Sequence, residues 1–103
     1  MKILLSCSGG MSSSLIANGL VKEGKKRGID VEVKAVGTEG IADELSADQY
    51  DIVLLAPQAV FRKQAVEDEA KDHHINFLLI PRTMYTPLAA GKLLDLVSEE
   101  LAK

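Results

Sequence analysis

Cys7 stands where an apolar run, Ile3-Leu4-Leu5-Ser6, gives way to Ser8-Gly9-Gly10-Met11-Ser12-Ser13-Ser14 and then to Leu15-Ile16. A strand, a glycine- and serine-rich turn and a helix in that order put a thiol at the carboxyl end of the strand and at the mouth of the helix. Backbone N–H groups converge there without internal partners. The helix dipole and those N–H groups favour the thiolate form, which is the nucleophile. Gly9 and Gly10 let the backbone turn its amides inward as an anion-binding nest, and the hydroxyls of Ser8, Ser12, Ser13 and Ser14 add donors. A phosphoryl group fits that donor set. The plain alternative is a cysteine used as a small buried hydrophobe, but packing alone does not call for two glycines and four serines in the next seven residues.

What the loop lacks narrows the chemistry. A cysteine phosphatase of such architecture uses Cys-x5-Arg, in which the arginine clamps the phosphoryl oxygens. Here that position is Ser13, and neither lysine nor arginine lies between Cys7 and Ser14. The segment Pro81-Arg82-Thr83-Met84-Tyr85-Thr86-Pro87 supplies no aspartate as general acid or base. The site is equipped to accept a phosphoryl group and poorly equipped to give it to water.

The elements that position this loop follow from hydrophobic period. Short apolar runs alternate with longer segments of helical spacing, the pattern of a parallel sheet with crossover helices. Strands are predicted over Ile3–Ser6, Val31–Val36, Ile52–Ala56 and Ile75–Ile80. The second, with Val31, Val33 and Ala35 on one face and charges on the other, suits a sheet edge. The third, apolar throughout, suits burial on both faces. A helix starts at the serine caps 12–14, turns Leu15, Ile16 and Leu20 inward and ends near Gly28. Residues 37–48 read as irregular, with one helical turn at Ile41–Leu45. Further helices are predicted from Pro57 to about Lys71 and from Pro87 to Leu101. Right-handed crossovers give an open four-stranded parallel sheet of order 2-1-3-4 with helices on both faces. The switch point then sets Cys7 opposite Pro57-Gln58, with Pro81 to Tyr85 one strand further along.

Composition sets outer limits. The chain has 103 residues, 47% of them hydrophobic, and a formal net charge of -3, enough for one packed domain over residues 1–103 and without the basic face of a nucleic-acid binder. The basic stretch Lys22–Arg27 reads as a solvated helix end. One cysteine excludes an internal disulfide and points to a reducing, cytoplasmic setting. No window approaches the ~20 apolar residues of a membrane span, so no direct membrane insertion is expected. Four aromatic residues leave little to sandwich a flavin, and neither a cofactor nor a metal site is expected. His73-His74 precede the fourth strand, at the end of the sheet away from Cys7, and read as a solvated helix end. Arg82 lies at the correct end to meet a phosphate or an acidic partner, or serves only at the surface. Met11 faces a partner or tucks into the core.

The stretch CSGGMSSS resembles the phosphocysteine loop of the enzyme IIB components of the bacterial phosphoenolpyruvate-dependent sugar phosphotransferase system, lactose/cellobiose family, where Cys-Ser-Ala-Gly-Met-Ser-Thr-Ser is typical. Gly9-Gly10 stands for alanine-glycine and Ser13 for threonine. Ala56-Pro57-Gln58 stands for the family's Gly-Pro-Gln, and Tyr85-Thr86 departs from a common Tyr-Gly pair. The resemblance spans essentially the whole chain and implies a single IIB domain with a fold similar to low-molecular-weight tyrosine phosphatase. It implies that Cys7 takes a phosphoryl group from a phosphohistidine of a IIA component. A sugar carried by the membrane-embedded IIC component, such as the β-disaccharides cellobiose or lactose, then receives it. Ser8 to Ser14 would form the phosphate loop, with Gln58, Arg82 and Tyr85 in support. The rival reading is a cysteine phosphatase or arsenate-reductase-like enzyme on the same fold.

Overall fold

The structure, a computed structural model, describes residues 1–7 and 12–103. Its elements are β1 (Lys2–Cys7), α1 (Ser12–Arg27), β2 (Glu32–Gly37), α2 (Ile41–Ala47), β3 (Ile52–Leu55), α3 (Lys63–Asp72), β4 (Asn76–Leu79) and α4 (Ala90–Leu101). The strands form one parallel sheet in the order β2-β1-β3-β4, as the crossover argument requires. Because successive side chains on a strand point to opposite faces, the two central strands feed two cores. Ile3, Leu5, Ile52 and Leu54 join Ile16 and Leu20 of α1 and Leu93, Leu94 and Val97 of α4. Leu4, Val53 and Leu55 join Ile41 and Leu45 of α2 and Val66 and Ala70 of α3 on the other side. Helices therefore cover both faces, and β2, with its exposed Glu32, Lys34 and Ala35, is an edge.

Several boundaries differ from the sequence expectation for local reasons. The predicted third and fourth helices each open with a 3-10 segment, Pro57–Arg62 and Pro87–Ala89. Non-helical φ/ψ at Ala59 breaks the first of these, and Ala89 at φ -101°, ψ 13° separates the second from α4. Residues 38–40 form a further 3-10 turn that leads into α2, a helix of 7 residues rather than a single turn. Leu15 is 59% exposed, not inward. The buried stripe of α1 runs Ser13, Ile16, Leu20, Gly24, spaced by three and four residues, and Leu15 falls outside that arc.

Both long crossover helices end on the same device. At the end of α1, Gly28 takes φ +72°, Ile29 N–H donates to Gly24 O at 2.8 Å and Gly28 N–H donates to Lys25 O at 3.2 Å, the paired bonds of a Schellman cap. At the end of α3, His74 takes φ 57°, with Ile75 N–H to Ala70 O at 2.8 Å and His74 N–H to Lys71 O at 3.0 Å. His74 thus performs a glycine's conformational task with a Cβ attached. His74→Gly is expected to raise stability by up to ~1 kcal/mol, read as a higher urea midpoint at unchanged m-value.

The amino end of the sheet is tied by charge. Glu44 Oε1 accepts from Tyr50 Oη at 2.6 Å and pairs with Lys34 Nζ at 2.9 Å, while Lys2 pairs with Asp48 and lies 5.1 Å from the Tyr50 ring centre. The Tyr50 hydrogen bond, then Lys34, holds the Glu44 carboxyl below the usual carboxylate range, and the Lys2 hydrogen bond does the same for Asp48. A carboxyl depressed in the folded state stabilises the fold above its unfolded pKa and loses that contribution as pH falls through the folded value. Denaturation midpoints should therefore drop from about pH 4.5 downward, and Glu44→Gln should show a smaller difference between pH 7 and pH 3 than the parent chain.

Candidate functional site

Cys7 is the last residue of β1, aligned with Gly37 at the end of β2. Ala56 N–H donates to Ser6 O at 2.9 Å, and Ile80 N–H donates to Leu55 O at 2.9 Å, so the ends of β1, β3 and β4 lie side by side. The thiol is 8% exposed, and its Sγ–H donates to Val36 O at 3.6 Å. Beside it in the chain, the fully buried Ser6 hydroxyl donates to Leu54 O at 2.8 Å, which ties the end of β1 to β3. The acceptor for the thiol is a backbone carbonyl of the edge strand, a partner that no side-chain pattern announces.

Ser8, Gly9, Gly10 and Met11 lie outside the described residues, as does the side chain of Ser12. Ser13 is buried on the first turn of α1 and Ser14 is exposed. The charges on α1 are lopsided. Its first turn has no acidic residue, while its last turn carries Lys25, Lys26 and Arg27. The carboxyl end of the dipole is thus complemented by the helix itself, and the first turn at its amino end carries no carboxylate of its own.

The three residues expected to support Cys7 come together. Gln58, Arg82 and Tyr85, with Pro57, line one cavity of about 260 Å³. Arg82 and Gln58 are exposed, Tyr85 is half-buried and packs against the core shared by α1 and α4. Apolar side chains stand out of the elements at this end: Leu15 on the first turn of α1, Val60 and the 75% exposed Phe61 after β3, and Leu88, 97% exposed, ahead of α4. Sequence reasoning missed this rim, because a leucine or phenylalanine in a helical segment is ordinarily assigned to the core. His73 and His74 line a different cavity with Asp48, Gln49 and Tyr50, at the amino end of the strands. Among the described residues no cluster of three metal-ligating side chains occurs, and no helix is long and apolar enough to cross a membrane.

A parallel sheet of order 2-1-3-4, helices on both faces and a cysteine closing β1 define an α/β protein of the low-molecular-weight tyrosine phosphatase type of fold. Within that class the chain belongs to the family "PTS system, Lactose/Cellobiose specific IIB subunit", whose model matches residues 2–90. It is 34% identical over 91 residues to the oligo-beta-mannoside-specific EIIB component of Bacillus subtilis (strain 168), covering 88% of this chain and 85% of that protein. It is 37% identical over 67 residues to the lactose-specific EIICB component of Streptococcus mutans serotype c, covering 65% of this chain and 11% of that larger protein. The solved lactose-specific IIB component domain from Streptococcus pneumoniae superposes with a TM-score of 0.84 at 22% identity, covering 97% of this chain and 96% of that one. The chain is accordingly a IIB component of a sugar phosphotransferase system.

Proposed function

We propose that residues 1–103 act as one cytoplasmic domain that relays a phosphoryl group through Cys7. In the first step the Cys7 thiolate attacks phosphorus on a phosphohistidine of a IIA component. The S–P bond forms, the P–N bond breaks and the imidazole leaves with its electron pair. In the second, a hydroxyl of a sugar presented by a IIC component attacks the same phosphorus. The O–P bond forms, the thiolate leaves and the hydroxyl proton passes to solvent. The acceptor is a β-linked disaccharide of the cellobiose or lactose kind.

The observation that carries this reading is the placement of Cys7 at the end of β1, before a helix whose first turn has no acid. An anion bound there meets a helix dipole that α1's own first turn leaves uncomplemented. Donor and acceptor chemistry belong to other chains, so this domain has only to position the phosphoryl group and spread its charge. Residues 8–14 are assigned the binding of that phosphoryl group. The exposed rim of Leu15, Phe61 and Leu88 around the same end suits partners that come and go. The EIICB relative, in which a matching segment is part of a larger chain, supports a IIC partner.

The test is reconstitution of the second step. The chain phosphorylated by a phospho-IIA, mixed with membranes bearing a IIC and a β-disaccharide, should yield sugar phosphate. The same chain given a phosphate monoester alone should release almost no phosphate. Catalytic hydrolysis of the monoester without transfer to sugar would replace the relay by the phosphatase reading, which Ser13 in the arginine position disfavours.

A further inference from the structure

We propose that Glu39 is a specificity-determining residue of the relay: its carboxylate stands beside Cys7 as a charge guard that turns small free anions away from the sulfur. This inference rests on the relay reading and adds to it the class of donor that the site rejects.

The placement starts from Gly37. Residues aligned across two parallel strands carry their side chains on the same face of the sheet, and Cys7 is aligned with Gly37. A side chain at position 37 would therefore be the lateral neighbour of the thiol. Gly37 has φ -71° and ψ 159°, extended backbone open to any residue, so the chain path does not ask for glycine. What takes the space is the Glu39 carboxylate, brought back by the 3-10 turn of residues 38–40. A Cβ at Gly37 would lie 3.0 Å from Glu39 Oε1 and 3.4 Å from Oε2. With neighbouring strands about 5 Å apart, Oε1 falls within about 8 Å of the Cys7 Cβ. The sulfur leans the same way, since the carbonyl it donates to, Val36 O at 3.6 Å, belongs to β2.

The chain leaves this charge standing. Glu39 is exposed, and its Oε2 accepts from Thr38 Oγ1 at 3.5 Å, a long contact within the same turn. Arg62 borders a small cavity with Glu39 and Glu69, yet among the described residues Glu39 joins no ion pair. Neither lysine nor arginine lies between Cys7 and Ser14 to offset it. A carboxylate at that range is inside the screening length of about 10 Å at 0.1 M salt, so an incoming anion meets its field at the sulfur. A free phosphate ester carries its negative charge into that field unaided. A partner protein can bring a cation to Glu39 together with its phosphohistidine.

The experiment compares alkylation of Cys7, the one cysteine of the chain, by iodoacetate and by iodoacetamide, followed by intact mass at neutral pH and low ionic strength. Both reagents form the same S–C bond and release iodide, and they differ by one negative charge. The ratio of their rates therefore cancels the reactivity of the thiol itself and reads the field at the sulfur. In Glu39→Gln that ratio is expected to rise about two- to five-fold in favour of iodoacetate, and about 0.5 M salt should erase most of the gain. Glu39→Asp, which keeps the charge, should stay near the parent ratio, as should Glu99→Gln, which removes the same charge near the carboxyl end of α4. Each variant is checked for an unchanged melting curve. An unchanged ratio in Glu39→Gln, or an equal gain in Glu99→Gln, would overturn the proposal. So would a thiol left untouched by iodoacetamide over hours, because Glu39 would then have no solvent route to guard. No phosphoryl transfer enters the measurement, so failure here is separate from failure of Cys7 to be phosphorylated by a IIA, which would strike the relay itself.

Discussion

Cys7→Ser is expected to abolish phosphoryl acceptance from IIA while leaving the melting curve close to that of the parent chain. The exchange is nearly isosteric, and the serine hydroxyl can donate to Val36 O as the thiol does at 3.6 Å. The structural effect should thus stay within about 1 kcal/mol. The chemical effect is of another order. Sulfur is intrinsically a strong nucleophile, whereas an alcohol needs a dedicated base to become one. Radiolabelled phosphoenolpyruvate with the general phosphotransferase proteins and a competent IIA should label the parent chain and leave the variant at background. Labelling of the variant at a rate near that of the parent would remove Cys7 from the proposed relay.

The largest effect on stability is expected from Leu54→Ala. Leu54 is fully buried on β3, aligned with Leu5 of β1 and Leu78 of β4, and belongs to the core beneath α1 and α4. Truncation removes buried methyl groups and leaves a cavity where both neighbouring strands are themselves fixed on their opposite side by the second core. Such sites relax little, and the loss should fall at roughly 3–5 kcal/mol. Against the total of roughly 5–15 kcal/mol typical of a domain, that is a fall in Tm of about 15 °C or more. Calorimetry of the two chains side by side decides it. A shift of a few degrees would mean that the helices close onto the vacated space.

The main lines of the fold were legible because they rest on pattern and topology. The uninterrupted apolar run Ile52–Leu55 could serve only a strand covered on both sides, and it lies at the centre of the sheet with all four residues buried. The polar alternation around Glu32 and Lys34 marked an edge, and Gly28 marked a helix end. What was not legible depends on three-dimensional neighbours. Leu15 and Ile16 are indistinguishable by hydropathy, and only the placement of α1 on the sheet sends one out and the other in. Pro57 and Pro87 start helical segments as expected, yet the breaks at Ala59 and Ala89 have no sequence signal. Leu93 joins the core beside Leu94 because α4 packs against both the sheet and α1. At the candidate site, the loop pointed to Cys7, the resemblance to Gln58 and Tyr85, and position to Arg82, and their roles are part of the proposal. The meeting of Gln58, Arg82 and Tyr85 in one cavity required the ends of β3 and β4 to be level.

The most direct measurement of the central claim is intact mass spectrometry at neutral pH, after mixing the chain with phosphoenolpyruvate, the general phosphotransferase proteins and a panel of IIA components, with Cys7→Ser as control. The relay account predicts one phosphoryl adduct that depends on a IIA and is absent from the control. An adduct that persists in Cys7→Ser, or no adduct with any IIA alongside catalytic release of phosphate from a monoester, would contradict it.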